Sequence, residues 1–452
     1  MGNAVILANL FRDKMAFTPG WGWMVFNGRY WEGGQYKALG LAGEVINRRI
    51  AAFKAGDIPE DVAKRSIARL EGCSNSNKLR GMLGIAEAKL NAPADGFDAN
   101  PYLLNVGNGV VDLRSGELQP HSPRHFITKW SPVEYNPNAR SHLWDSTVTG
   151  IACEDAGLIN FFRCLGGYAA SGDVSLQMFF YFYGEGANGK SLMTDLWAEV
   201  LGGFGDIGYA VRLPNETVLG GSERPAGAPS PDLLALKGKR LALLSEQDDA
   251  RPLNAQRIKD LTGGDAITAR APHREATTFP PTHTMICCGN HIPLVNASDH
   301  GFWRRLKVVP FKGRFKPSRI GAELRAPKQL SAILAWMVRG ATILNKAGLN
   351  IPDAVENATW ECRNEAEPLR GWIEERCEQG GEENTNALFG DFAAWRTRRQ
   401  EARMSQSLFS RALSQMGYAK RKSNGNVLIV GLSLRRSRGA GSSNNYHEVF
   451  TA

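Results

Sequence analysis

The sequence predicts an α/β protein of several domains, organised around a phosphate-binding loop. Three observations predict this. The apolar run Met178–Tyr183 leads into Gly184, Gly189, Lys190 and Ser191, which fit G-x-x-x-x-G-K-S, and then into Leu192, Leu196 and Val200 at helical spacing. Two more short apolar runs, Arg240–Leu244 and Thr284–Cys288, read as buried strands following that loop. The basic residues gather near the C-terminus, in a stretch with its own helix and hairpin signals.

Composition sets the bounds. A chain of 452 residues is too long for one ordinary core, so two to four domains are expected. Hydrophobic content of 43% and charged content of 22% describe a soluble globular protein. No apolar run approaches the ~20 residues of a membrane span. The start, MGNAVILANLFRDK, is too short and too soon charged for a signal peptide. Seven cysteines without a C-x-x-C pair point to a reducing, cytoplasmic setting and no structural zinc. From Asn384 to Ala440 there are eleven basic residues (Arg396, Arg398, Arg399, Arg403, Arg411, Lys420, Arg421, Lys422, Arg435, Arg436 and Arg438) against two acids, Asp391 and Glu401. That excess equals the +9 of the whole chain, a polyanion-binding signature, although a merely solvated tail has the same composition.

Taken in order, residues 17–31 predict two aromatic strands about a type I′ turn at Asn27-Gly28. Helical periodicity follows from about Leu39 to Leu90. Short strands then flank turns at Asn108-Gly109 and Ser115-Gly116. His121 and His125 sit four apart, but Pro120 and Pro123 oppose a helix there and no third metal ligand is evident. A helical stretch from Trp144 to Ser171 leads into the phosphate-loop strand. Glycines there let backbone N–H groups turn inward around a polyphosphate, and the helix N-terminus adds partial positive charge. The cradle comprises Gly184, Glu185, Gly186, Ala187, Asn188, Gly189, Lys190 and Ser191. Lys190 is expected on the outer phosphates of ATP and Ser191 on Mg²⁺.

Beyond it, Leu213–Pro231 is a Gly/Pro/Ser-rich loop. The strand Arg240–Leu244 ends in Ser245-Glu246, where an acid polarises an attacking water in phosphate-loop enzymes. Residues 255–283 predict a helix carrying Lys259, a Gly-Gly turn and a β-hairpin with Arg270 at its base and His273 and Arg274 at its tip. The strand Thr284–Cys288 closes on Gly289-Asn290, an amide placed to meet a γ-phosphate. Arg304 and Arg305 precede the strand LKVVPF, as surface decoration or as an arginine finger for a neighbouring subunit. Residues 330–347 form an amphipathic helix and 353–379 a further helical stretch, with GGEEN as a linker. Two helices and strands about Asn424-Gly425 then predict a winged helix, with Lys420, Arg421 and Lys422 on the wing.

With YGEGANGKS, SEQDD, IKDLTGGDAITAR, FPPTH, GNHIP and GFWRRL in this order, the chain resembles superfamily 3 helicases of the phage, plasmid and poxvirus primase–helicase group. The resemblance covers most of residues 100–440. It implies an AAA+ type P-loop ATPase core in a hexameric ring around DNA, moving 3′ to 5′. It implies that Lys190 and Ser191 bind phosphate and Mg²⁺, that Glu246 activates water, and that Asn290 senses the γ-phosphate. Arg304 or Arg305 acts in trans, and the 263–279 hairpin holds single-stranded DNA in the channel. The implied domains are an α+β N-terminal domain (1–143), the ATPase core (144–350), a helical linker (351–383), a winged-helix-like domain for duplex DNA (384–440) and a tail (441–452). Ser245-Glu246 departs from the usual acidic pair, which leaves open whether Asp248 or Asp249 supports Mg²⁺. About 100 residues precede the shared region, too few for a primase domain, so priming is expected from a separate partner if at all.

Two other readings stay open at this level. One is a replication initiator in which ATP only switches the DNA-bound state. The other is an AAA+ regulator of protein partners with a basic DNA-binding tail. Glu246 and the Arg pair favour turnover, since a switch needs neither.

Overall fold

The computed structural model describes residues 2–92, 96–220, 228–247, 252–272, 274–293, 295, 300–315, 319–366, 368–399, 404–423 and 426–435. The chain divides into two compact units, residues 1–293 with 304–359, and residues 294–303 with 360–452.

The first unit begins with α1 (Gly2–Leu10), an antiparallel sheet of β1 (Met15–Thr18), β2 (Gly22–Phe26) and β3 (Trp31–Gly33), and helices α2 (Gln35–Ala55), α3 (Glu60–Glu71) and α4 (Ser76–Glu87). Helix α2 buries Ala38, Ala42, Val45 and Ile46, one helical stripe, in a cluster with Trp23, Leu83 and Ala86. The β2–β3 connection differs from the expected type I′ turn. It spans residues 27–30, and of Asn27 and Gly28 only Gly28 has positive φ. Asn27 instead uses its side chain, whose Oδ1 accepts from the N–H groups of Arg29 and Tyr30 at 3.0 Å each.

A second antiparallel sheet, β4 (Leu103–Val106), β5 (Gly109–Asp112) and β6 (Glu117–Gln119), follows. Its Leu104, Val106, Val111 and Leu113 share one core with Trp144, Phe162, Phe180 and Leu243. The main core therefore runs across residue 143, the boundary expected from the sequence. Arg240 fastens this junction. It donates to Ala170 O at 2.8 Å and Leu103 O at 2.6 Å, and its guanidinium lies 4.6 Å from the Tyr209 ring centroid. Burial pushes the Tyr209 hydroxyl up to about 12.

The centre of the unit comprises α5 (His142–Ile151), α6 (Ala156–Ala170), β7 (Phe179–Tyr183), α7 (Lys190–Val200), β8 (Ala210–Leu213), α8 (Pro231–Leu234), β9 (Leu241–Gln247), α9 (Ala255–Thr262), the hairpin β10 (Ile267–Ala269) and β11 (Thr277–Phe279), and β12 (Thr284–Gly289). After α10 (His300–Trp303), which falls in the second unit, come β13 (Leu306–Pro310), α11 (Ile320–Leu324) and α12 (Pro327–Ala347). Five strands form one parallel sheet in the order β13-β7-β12-β9-β8. The strand β8 has no counterpart in the sequence reading, because four residues at a sheet edge carry too short a pattern. Most residues of β7 and all of β12 are buried, which is why both read as unbroken apolar runs.

The second unit holds α14 (Pro368–Arg376), β14 (Cys377–Asn384), α15 (Thr385–Arg398), α16 (Gln406–Gln415), β15 (Ala419–Ser423) and β16 (Asn426–Leu434); α13 (Asp353–Ala366) precedes them. Here the expected linker is corrected. Residues 377–384 are a strand paired with β16, interrupted at Gly380 and Gly381, both at positive φ. Its side chains are mostly exposed, so backbone pairing and not an apolar pattern makes it a strand. Trp372, Phe392, Phe409, Leu413 and Ile429 fill the core, and Asp391 accepts from Trp372 Nε1 at 2.9 Å and Arg376 Nη2 at 2.7 Å. The Arg376 guanidinium holds that carboxyl below its usual range. Ser423 pairs with Asn426, so the hairpin is present, while its expected turn Asn424-Gly425 lies outside the described residues, as does the tail 441–452.

Helices α6 and α12 touch backbone to backbone. A Cβ on Gly340 would lie 1.8 Å from Arg163 O. Gly340→Ala is expected to cost about 1–3 kcal/mol through forced separation of the helices. Urea unfolding of the purified variant checks this, and an unchanged midpoint would contradict the close packing.

Candidate functional site

The site lies where the parallel strands end. Tyr183, the last residue of β7, pairs with Gly289 at the end of β12 and with Pro310 at the end of β13. Between Tyr183 and α7 the chain makes the loop Gly184–Gly189. Gly189 is the helix N-cap at φ 88°, a backbone that favours glycine. A side chain there would also meet Ile151 at 2.6 Å.

Lys190 opens α7 and is only 2% exposed. Its Nζ donates to Gly184 O at 2.5 Å, Asn188 Oδ1 at 3.2 Å and Asn290 Oδ1 at 3.4 Å. The loop thus wraps its own lysine, and Asn290 joins it from the neighbouring strand. Lys190 and Asn290, 100 apart in sequence, thus meet through one ammonium. Ser191 is exposed in the first turn of α7. Glu185, Gly186 and Ala187 form the exposed lip of the loop.

Glu246 is the penultimate residue of β9, next to the strand that carries Asn290. The register with β12 shifts there: Leu244 faces Cys287 and Gln247 faces Gly289, so Ser245 and Glu246 stand opposite Cys288 alone. Such bulges redirect side chains at sheet ends. The side chain of Glu246 lies outside the described part, as do Asp248 and Asp249 entirely. In β12, burial pushes the Cys287 thiol well up, consistent with packing and not reactivity.

A wall missed by sequence reading completes the site. After β13, Phe311 O accepts from Asn188 Nδ2 at 3.3 Å, and Phe315 N donates to Ala187 O at 2.8 Å. Arg314 pairs with Glu185 at 3.3 Å. A cavity of about 220 Å³ lies between the loop and residues 310–314. The available signal was FKGRF, two cations around a glycine directly after a buried strand.

Arg304 and Arg305 lie at the other end of the sheet. Leu306 pairs with Phe179, so four residue steps, about 13 Å, separate them from the loop along the strands. The two differ. Arg305 is 9% exposed and donates to Gln177 O at 3.4 Å and Thr262 O at 3.1 Å. Arg304 is exposed and meets the Gln177 side chain at 3.2 Å. Sequence could not separate them; burial does.

The remaining expected positions are carried by other elements. Arg270 and Arg274 are exposed on the segment joining β10 and β11, Lys259 lies on α9, and His273 is outside the described residues. Lys420, Arg421 and Lys422 are exposed on β15, and Arg421 is paired with Glu382 of β14. His121 and His125 are half-buried, and burial lowers the pKa of both. No cluster of three or more His, Cys, Asp or Glu suited to a metal occurs among the described residues. No helix among those residues is long and apolar enough to cross a membrane.

Arg305→Ala is expected to lower stability by about 1–3 kcal/mol, because it leaves buried carbonyls unpaired. Arg304→Ala is expected to leave the melting temperature within error. Paired thermal melts check this, and equal effects would remove the distinction between them.

Comparison with known proteins bears on the same regions. A family described as "D5 N terminal like" matches residues 4–153, and a family of unknown function (DUF5906) matches residues 182–305, which include the loop, β9 and β12. "Putative helicase L207/L206" of Acanthamoeba polyphaga mimivirus is 30% identical over 222 residues, 48% of this chain and 22% of that protein. "Putative primase C962R" of African swine fever virus (isolate Tick/Malawi/Lil 20-1/1983) is 28% identical over 227 residues, 48% of this chain and 23% of that protein. "Putative helicase 022R" of Frog virus 3 (isolate Goorha) is 28% identical over 365 residues, 62% of this chain and 37% of that protein. The matches thus span between about a fifth and two fifths of these relatives' own length. Among solved structures, the apo NrS-1 C terminal region (305-718) aligns over 96% of this chain and 100% of that one, with a TM-score of 0.49 and 9% identity. The chain is related in sequence to proteins of large DNA viruses that carry helicase and primase names.

Proposed function

We propose that this chain is the ATP-driven motor of a DNA helicase serving replication of a phage or mobile element, working as a ring of identical subunits. The observation that carries the reading is the meeting of Lys190 with Asn290 at the ends of adjacent parallel strands. A lysine in a glycine loop at a helix N-terminus, with an amide one strand away, suits a nucleoside triphosphate. The strand order, with the loop strand β7 between β13 and β12, supports an AAA+ type core. The helicase names of the viral relatives support DNA as the substrate.

In this reading the loop N–H groups and Lys190 hold the β- and γ-phosphates. Glu246 takes a proton from the attacking water, and Asn290 orients that water or the γ-phosphate. Water adds to the γ-phosphorus as the bridging oxygen leaves with ADP. Ser191 would hold Mg²⁺, which would neutralise charge on the phosphate oxygens. Arg304 is the better finger candidate, being exposed and far from its own loop, so that it serves a neighbour's ATP. The β10–β11 hairpin, with Arg270 and Arg274, faces single-stranded DNA in the channel. In the second unit α14, α15 and α16 pack with the β14-β16-β15 sheet around an apolar core, an arrangement that supports a winged helix on duplex DNA.

Lys190→Ala is expected to abolish ATP hydrolysis while the fold persists, since it removes the charge that meets the transferring phosphoryl group. Arg304→Ala is expected to bind ATP and hydrolyse it ~10³-fold more slowly. Mixing the two variants after subunit exchange regains part of the activity, because some interfaces pair an intact loop with an intact Arg304. Zero activity at every mixing ratio, with exchange verified, would favour the initiator reading, in which ATP acts as a switch.

The double variant Lys420→Ala/Lys422→Ala is expected to weaken duplex DNA binding and to reduce the salt slope by about 2, one phosphate contact for each lysine. ATPase without DNA stays unchanged. An unaltered slope would remove the wing from the DNA interface.

A further inference from the structure

We infer that Arg314 is a phosphate-binding residue of the nucleotide site, held ready by an acid built into the phosphate loop itself. The inference rests on the ATP reading of the loop and deepens it. Its starting point is an electrostatic misfit. Glu185 occupies the second position of the loop and is exposed at its lip. A carboxylate there repels any polyphosphate entering the cradle, while the Lys190 ammonium is turned to Gly184, Asn188 and Asn290.

Arg314 answers that charge. Its Nη2 lies 3.3 Å from Glu185 Oε2, and both side chains are exposed, at 85% and 80%. The backbone that carries Arg314 is fixed against the loop on both sides of it, through Phe311 O to Asn188 Nδ2 and Phe315 N to Ala187 O. Gly313 between them is buried, and a Cβ there would meet Gly150 O at 2.5 Å. The guanidinium therefore stands on a rigid support while its side chain stays solvated. The cavity of about 220 Å³ opens between this support and Gly184–Asn188. An exposed ion pair is a weak tether. A triphosphate offers the same guanidinium several anionic oxygens and a bidentate geometry. Arg314 accordingly exchanges Glu185 for the polyphosphate when nucleotide enters, and Glu185 serves to park it.

The test is nucleotide affinity on the full chain, read with a fluorescent ATP analogue and competed with ATP, ADP and AMP. Arg314→Ala is expected to raise Kd for ATP by about tenfold or more, with a smaller effect on AMP. Arg314→Lys recovers part of the loss. Glu185→Gln does not weaken binding, and Glu185→Gln/Arg314→Ala binds as weakly as Arg314→Ala. Two results would overturn the proposal: unchanged affinity in Arg314→Ala, or wild-type affinity in the double variant. The latter makes Arg314 only a screen for Glu185. Lys190→Ala is the control that separates the two levels. If Lys190→Ala also binds normally, the loop is not the nucleotide site. If it fails to bind while Arg314→Ala binds normally, the loop reading stands and Arg314 alone is excluded. Far-UV circular dichroism and melting of each variant verify that the fold is retained.

Discussion

The arrangement of the site depends on one buried ammonium. Among the described residues, Lys190 meets three oxygens, a loop carbonyl, a loop amide and an amide from the next strand. A charge removed from water needs such partners, and supplying them fixes where they stand. The loop must curl back on itself to offer Gly184 O, and β12 must end beside β7 to offer Asn290. The ammonium thus ties the loop to the end of the neighbouring strand. Four strands end together at this edge: β7 at the loop, β9 at Glu246, β12 before Asn290 and β13 before the Phe311–Phe315 wall.

The opposite edge of the sheet has a different character. There the requirement is to bury charge without leaving it unpaired. Arg240 and Arg305 both spend their guanidinium on backbone carbonyls, joining elements distant in sequence. Each acts as a cross-brace of the fold. Arg304, adjacent to one of these braces, is carried by rigid backbone yet has an exposed side chain. Arg314, at the other edge, likewise has a fixed base and a solvated tip. The two arginines differ in place: Arg314 stands beside its own loop, and Arg304 lies at the far end of the sheet from it.

The second unit reaches its fold by another route. Its core is small and aromatic, with Trp372, Phe392 and Phe409 in edge and tilted contacts. The strand that closes its sheet, β14, contributes little apolar surface and is held by its ladder with β16. Positive charge on β15 is left to solvent at Lys420 and Lys422 but answered at Arg421 by Glu382. The excess charge of the region therefore overstates what β15 offers a polyanion.

By itself the sequence determined the loop, because strand, glycine spacing, lysine and helix are all local and their chemistry depends on backbone geometry over a dozen residues. It also determined β9, β12 and β13 as strands, since buried parallel strands are apolar on both faces. The N-terminal helices and the C-terminal hairpin were legible from periodicity and turn residues. What only the tertiary structure decided is whatever depends on neighbours remote in the chain. β8 is an edge strand too short to show a pattern, and β14 is a strand by pairing alone. Arg304 and Arg305 are identical in sequence terms, and burial against Gln177 and Thr262 sets their difference. Residues 311–315 became a wall of the site because β13 lies beside β7, which no local pattern states. Asn290 was legible as an amide at a strand end, but its contact with Lys190 exists only because parallel pairing brings two distant strand ends within hydrogen-bond reach.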